Sequence, residues 1–241
     1  MKSNLTQLLG VAVAITCFNG TTLRGAETIT PDLKNAPKAI GWSGPAQPAS
    51  RWVTSVKGRD ALFTTGIIWL DGVNFMEGTI ECDILGQSLP RGSNFPGVVF
   101  HGVDELTVDT VYFRPFNFRA ENPENASHAV QYTSAPQWPW PKLRAEKTGQ
   151  YEKPIVPAPD GDAWFHAKIV VAGKKVSVFV NGAEKPSLEI ETLNDRTGGK
   201  VGLTGGDAGV GGHFANLKII PADARGHPTM PAPAEAPLRR L

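Results

Sequence analysis

The chain has 241 residues, 41% of them hydrophobic, with 26 Gly, 20 Pro and 2 Cys, and its formal net charge is +1. A chain of this length, rich in turn residues, is read most economically as one all-β domain. The near-zero charge argues against a general nucleic-acid binder or a polybasic membrane ligand.

Residues 1 to 26 read as a secretory signal peptide. Lys2 supplies a short positive region, Leu8 to Phe18 is an apolar run too short to span a bilayer, and Gly25 and Ala26 precede the expected cut. Arg24 is atypical at that junction, and an acylated Cys17 is the alternative, poorly matched by the Ala-Ile-Thr before it. Losing Lys2 and Arg24 from 24 basic residues leaves 22 against 23 acidic ones, a net charge of −1. No second run is long enough to span a membrane, so the expected product is exported, secreted or periplasmic, and soluble. Cys82 would then stand alone, excluding an intramolecular disulfide and a cysteine-based zinc site. Between Ile80 and Ile84 it reads as a small buried apolar residue.

Residues 27 to about 50 are mixed polar with Pro and Gly and lead into a first strand at Arg51 to Val56. Further strands are expected at Thr79 to Leu85, Gly97 to His101, Val108 to Phe113, Ala129 to Tyr132, Ser187 to Glu191, Lys200 to Leu203 and His213 to Ile220. The clearest element is WFHAKIVVAGKKVSVFVNG, residues 164 to 182. Phe165, Ala167, Ile169 and Val171 alternate with more polar positions, the turn AGKK follows, and Val176, Val178 and Val180 resume the alternation, which predicts a hairpin. Residues 221 to 241, rich in Pro and Ala without an apolar period, are expected to be disordered. Many strands without alternating helices predict an antiparallel sandwich over residues 36 to 220.

Three segments, WFHAKIVVAGKKVSVFVNG, GKVGLTGG at 199 to 206 and GGHFANLKII at 211 to 220, resemble the closing half of concanavalin A-like jelly rolls of the laminin G-like and laminarinase-type superfamily. With FMEGTIECDILG at 75 to 86 they are similar, more narrowly, to the secreted bacterial domain named for 3-keto-disaccharide hydrolysis. The resemblance implies a two-sheet jelly roll whose concave face receives a carbohydrate, and it leaves open whether hydrolysis follows.

Glycoside hydrolysis ordinarily needs two carboxyls. Laminarinase-type enzymes carry Glu-x-Asp-x-x-Glu on one strand; Glu81 and Asp83 match the first two positions, but Gly86 stands at the third. These two acids are therefore candidate catalytic residues without their partner, with a solvated strand face as the plainer reading. Glu152, in the Pro-rich stretch YEKPIVPAPDGDAW, is the reserve acid or base. The binding candidates centre on VYFRPFNFRAEN, residues 111 to 122. Tyr112, Arg114, Asn117 and Arg119 lie there, with His101, Gln131 and Trp138 expected nearby. Arginine forks and amides suit sugar hydroxyls or a carboxylated sugar, and a tryptophan face suits a pyranose ring. The competing reading is a packed corner in which Phe116 and Phe118 plug the sandwich edge and the arginines pair with Glu121 or Glu124. Among the histidines, His101 and His128 fall near the expected groove, and no histidine metal spacing occurs. Calcium is possible at GVDELTVD, where Asp104, Glu105 and Asp109 offer hard oxygen donors, although the spacing fits no defined loop.

Overall fold

The computed structural model describes residues 27–206 and 210–222. The expected signal peptide and its Cys17 lie outside these residues, as does the expected tail of residues 221 to 241 from residue 223 onward; its first residue, Pro221, is in a strand and not disordered.

Among the described residues, fourteen strands form two seven-stranded sheets packed face to face. In chain order they are β1 (Trp42–Ser43), β2 (Arg51–Val56), β3 (Arg59–Thr64), β4 (Ile67–Phe75), β5 (Gly78–Leu85), β6 (Gly97–Gly102) and β7 (Val108–Phe113). There follow β8 (Val130–Ala135), β9 (Glu152–Lys153), β10 (Trp164–Ala172), β11 (Lys175–Val180), β12 (Leu188–Glu191), β13 (Gly199–Thr204) and β14 (Gly212–Pro221). The first sheet runs β12-β11-β10-β5-β14-β3-β2 and the second β1-β4-β13-β6-β7-β8-β9, with antiparallel pairing throughout. This is an all-β, two-sheet antiparallel sandwich, as the strand pattern predicts.

Period-two patterning explains the layering. On β10 and β11, Phe165, Ala167, Ile169, Val171, Val176, Val178 and Val180 turn inward, and on the facing sheet Val98, Phe100, Val111, Phe113, Val130 and Tyr132 do the same. Cys82 is fully buried in this core, where desolvation first, then the neighbouring Asp83 and Glu81 charges, push its thiol pKa up. The segment before β2 also packs. A 3₁₀ turn at Leu33–Lys38 buries Leu33 and Ala36, Trp42 joins the same core, and Ile29 bridges to Ile219.

Two short helices interrupt the strand pattern: α1 (Pro123–Ala126), capped by the Asn122 side chain, and α2 (Trp140–Glu146). Among the described residues no helix is long and apolar enough to cross a membrane.

Candidate functional site

On β7, Val111 and Phe113 point inward, so Tyr112 between them points out of the sandwich. Register then builds a row across the edge of the second sheet, with Tyr112 opposite Gln131 on β8 and Gln131 opposite Glu152 on β9. Arg114 lies one residue beyond β7, but its backbone N–H donates to Ala129 O at 2.8 Å, which extends the pairing and keeps its side chain on the face of Tyr112.

These side chains form one network. Arg114 Nη2 donates to the Tyr112 hydroxyl at 2.8 Å and to Gln131 Oε1, and the Tyr112 hydroxyl donates to the same oxygen at 2.8 Å. Arg114 Nη1 donates to His128 O at 2.9 Å and approaches Glu152 Oε2 at 3.5 Å. Glu152 is held from the opposite side by Arg144 of α2, Nε to Oε1 at 2.9 Å and Nη2 to Oε2 at 2.8 Å, and by His128 Nδ1 at 2.9 Å.

The charge states follow from this geometry. Burial opposes ionisation of Glu152, but the Arg144 hydrogen bonds and charge, then His128 and Arg114, outweigh it and hold its carboxyl below the usual carboxylate range. Desolvation lowers the pKa of His128 and raises that of Tyr112 to about 12. Glu152 is thus a fixed anion with both oxygens occupied, a poor general acid. Gln131 Nε2 is buried without an acceptor, and the two donors that converge on Oε1 prevent the amide from flipping to find one. An unmet buried donor costs about 1–3 kcal/mol.

Aromatic rings border this floor. Phe95 contacts Tyr112 and Phe116 edge-on, at 5.9 and 5.6 Å between centroids. On the helix side the Arg144 guanidinium lies 5.0 Å from the ring of the exposed Trp140, and Lys142 and Lys147 sit 4.4 and 5.2 Å from that of Trp138. A cleft of about 250 Å³ opens nearby, lined by Ser88, Leu89, Arg91, Pro115, Phe116, Arg119, Asp160 and Gly161.

The structure thus gathers Tyr112, Arg114 and Gln131, as the sequence suggested, and adds Glu152 to them. Other candidates fall elsewhere. Asn117 is buried beside the cleft and accepts a hydrogen bond from Arg91, while Arg119 is exposed on the cleft wall with Asp160. Trp138 is half-buried behind its two lysines. His101 stands apart, because a left-handed φ of 48° and a register shift between β6 and β13 turn its ring against Phe75, with Nε2 on Met76 O and Nδ1 3.4 Å from Asp109.

The packed-corner details also differ from expectation. Arg114 and Arg119 pair with Glu152 and Asp160, distant in sequence, and not with Glu121 or Glu124. Pro115–Asn117 is a 3₁₀ turn, so strand parity ends there: Phe118 is buried against Phe165, whereas Phe116 stays half-buried against Phe95.

Glu81 and Asp83 occupy the outer face of the first sheet, away from this network. Asp83 accepts from Arg59, from His166 Nδ1 at 2.9 Å and from Asn216 Nδ2 at 2.7 Å, and Glu81 Oε2 lies 3.9 Å from His166 Nε2. Asn216 reaches Asp83 because a bulge in β14 places it in a left-handed conformation at φ 53°. Asp83 borders a cleft of about 810 Å³, which Trp52, Lys34, Asp60 and Lys218 also line. Gly86 leaves no room for a third carboxyl: a Cβ there would lie 2.4 Å from Gly161 O and 2.8 Å from Pro115 Cβ.

At the proposed calcium loop, Asp104 accepts from the amides of Leu106 and Thr107, and Asp109 is buried among Tyr132, Asn194 and Arg196. No group of three His, Cys, Asp or Glu placed to hold a metal occurs among the described residues.

Phe95 and Arg91 were not singled out from sequence as site residues, whereas QWPWPKLR at 137 to 144 supplies Trp138, Trp140 and Arg144 to the site. Arg144 had a readable signal, since it follows Trp140 at the four-residue helical spacing that brings the two together.

No protein-family model and no curated protein matches the chain. Solved structures similar to it include a carbohydrate-binding module, CBM66, from Bacillus subtilis, with 14% identity, TM-score 0.47, and coverage of 75% of this chain and 96% of that one. A putative glycosyl hydrolase from Parabacteroides distasonis has 18% identity, TM-score 0.47, and coverage of 76% and 100%. Domain 4 of AbnA, a GH43 extracellular arabinanase from Geobacillus stearothermophilus, has 14% identity, TM-score 0.44, and coverage of 82% and 82%. These similarities assign no residue of the site.

Proposed function

We propose that this chain is an exported carbohydrate-recognising domain whose ligand lies over Tyr112, Arg114 and Gln131 on the outer face of the second sheet. The supporting observation is the row Tyr112, Gln131 and Glu152 with Arg114 beside it, polar groups concentrated on an outward strand face between aromatic rings. Hydrogen-bonding groups below and aromatic faces at the side are what a polyhydroxylated ring requires. The partly exposed Arg144 would bond hydroxyls, Trp140 would stack on a ring and Arg119 would border the ligand at the neighbouring cleft, with the buried Tyr112, Arg114 and Gln131 fixing this edge from below.

The test is binding of the purified chain to a broad glycan array, followed by calorimetry. Retention of a glycan that Trp140→Ala weakens, with unfolding unchanged, supports the reading. Flat isotherms for every glycan overturn it and favour a structural or interaction domain without a sugar ligand.

The second reading is a glycoside hydrolase of the 3-keto-disaccharide type. Glu152 is unsuited to acid catalysis, so hydrolysis would belong to the cleft on the first sheet, where Glu81 stands near the His166 and Asp83 pair. Release of reducing sugar from a glycan or 3-keto-glycoside, abolished by Glu81→Gln in a folded protein, would establish it. Turnover that is absent across both substrate types sinks it.

A further inference from the structure

The first sheet is split along one edge of β14. Strand β3 accompanies β14 only as far as Leu62 opposite Phe214, and Ile29 takes up the same edge at Ile219, with backbone bonds of 2.8 and 2.9 Å. Between them lie residues 215 to 218, where the bulge turns Asn216 to a φ of 53° and no described strand pairs with that edge. The cleft of about 810 Å³ is this gap, with Trp52, Arg59 and Asp60 on one wall and Asn216 and Lys218 on the other. Small-molecule sites occupy roughly 300–1,000 Å³.

The polar groups facing the gap are held in place yet keep bonding capacity. Asp83 Oδ1 accepts from His166 Nδ1 at 2.9 Å, and Oδ2 accepts from Asn216 Nδ2 at 2.7 Å and from Arg59. The imidazole is thus clamped with Nδ1 as donor, which leaves Nε2 of the neutral ring as a lone-pair acceptor. That Nε2 is 3.9 Å from Glu81, beyond hydrogen-bond reach, and the His166 side chain is 38% exposed. Arg59 gives Nη1 to Asp83 and keeps its other donors, on a side chain 46% exposed. Asp60 commits Oδ1 to the Ser55 amide at 3.0 Å and retains its second oxygen, and the exposed Lys218 has no side-chain partner among the described residues. Free donors and free acceptors are both present. Charge is balanced too, with Asp32, Asp60 and Asp83 against Lys34, Arg59 and Lys218, and with Glu81 and Lys168 opposite each other in register beside them.

A simple anion or cation would meet as many like charges as opposite ones here. A sugar hydroxyl both donates and accepts, so a polyhydroxylated ring can use both kinds of group. The half-buried Trp52 indole, 5.2 Å from the ammonium of the exposed Lys34 that must swing off it, supplies an apolar wall. We infer that the gap between β3 and β14 is a second carbohydrate site, taking a neutral sugar ring against Trp52 with its hydroxyls on His166 Nε2, Arg59 and Lys218. Binding there requires neither turnover at this cleft nor the Trp140 surface. A free amino acid, with one charge of each sign, is the competing ligand chemistry.

The isotope-labelled full chain is titrated with glucose, galactose, mannose and xylose, and separately with alanine and with sulfate, each to about 100 mM, well above a Kd of about 1 mM. The Trp52 indole and Asn216 amide signals are followed by NMR. At least one sugar should shift both saturably, alanine and sulfate should not, and the shifts should persist in Trp140→Ala. His166→Phe should weaken binding by about tenfold, the worth of one hydrogen bond, while unfolding stays cooperative. Lys218→Met, at an exposed position, is the second variant and should weaken it severalfold. No shift with any sugar overturns the inference, as does an equal response to alanine or sulfate. Shifts that vanish in Trp140→Ala, or an affinity that both other variants leave unchanged, overturn it by placing the sugar elsewhere. Saturable binding without release of reducing sugar supports the site and counts only against the hydrolase reading.

Discussion

Arg144 grips Glu152 through two parallel hydrogen bonds, Nε to Oε1 and Nη2 to Oε2, at 2.9 and 2.8 Å. The two partners differ sharply in burial: the Glu152 side chain is 3% exposed and that of Arg144 35%. Removing the acid strands the Arg114 charge in a dry setting, whereas removing Arg144 leaves Glu152 with Arg114 and His128. Glu152→Ala should therefore destabilise by about 3–5 kcal/mol and Arg144→Ala by about 1 kcal/mol. Chemical denaturation of the two variants measures the asymmetry, and equal losses would contradict the assigned burial.

Acid should loosen the protein in two stages. His128 binds a proton less readily in the folded protein than its ordinary pKa of 6.5 implies, so its contribution is full above that pH and fades as pH falls. Glu152, depressed below 4.5, contributes above that value and loses its contribution as pH falls through its lower folded pKa. Tm should decline first below about pH 6.5 and again below about pH 4.5. His128→Gln should flatten the first decline, as followed by thermal unfolding across the range. His213, buried near Arg51 and also lowered, adds to the first stage and is the residue to substitute if part of it persists.

Gly86→Ala should cost about 1–3 kcal/mol, because the atoms in the way are the backbone oxygen of Gly161 and the ring of Pro115, neither of which can swing aside. Gly86→Glu, which would complete the laminarinase-type acid pattern, should yield no stable, hydrolytic protein. Urea titration of the alanine variant and a reducing-sugar assay of the glutamate variant check the two statements.

The two phenylalanines flanking Asn117 should separate in a mutational test. Phe118 packs on Phe165 at 5.2 Å, inside the core, so Phe118→Ala should lose about 3–5 kcal/mol. Phe116 is half-buried, and Phe116→Ala should lose roughly 1 kcal/mol. Unfolding midpoints decide it.

Cys82 should be inert to thiol reagents in the native protein, since it is fully buried and its pKa is raised, and should label only as the fold opens. Labelling kinetics with and without denaturant test this.

Where side-chain alternation was strong, the fold could be read from sequence. The β10–β11 hairpin and β7 fall where the pattern placed them, and an inward Val111 and Phe113 force Tyr112 outward. Strands β3 and β4 escaped notice because their burial is not periodic. Ala61, Leu62 and Phe63 are buried in succession, and Ile68, Trp69 and Leu70 likewise, with Trp69 packing outside the sandwich on Val99 and Val108. The site divides the same way. The shared face of Tyr112 and Arg114 is local and legible, while the meeting of Arg114, Arg144 and Glu152 depends on register between β8 and β9 and on a seven-residue helix without a long amphipathic pattern.

Strand β14 is the last of the described strands in sequence yet lies inside the first sheet, between β5 and β3, and Ile29 near the start of the described chain pairs with its Ile219. Until Gly212 to Pro221 is available, β3 with β2 and β5 with β10 are two separate half-sheets with no strand to join them. Closure of the sandwich is therefore a late event in biosynthesis, governed by contacts of very long sequence separation.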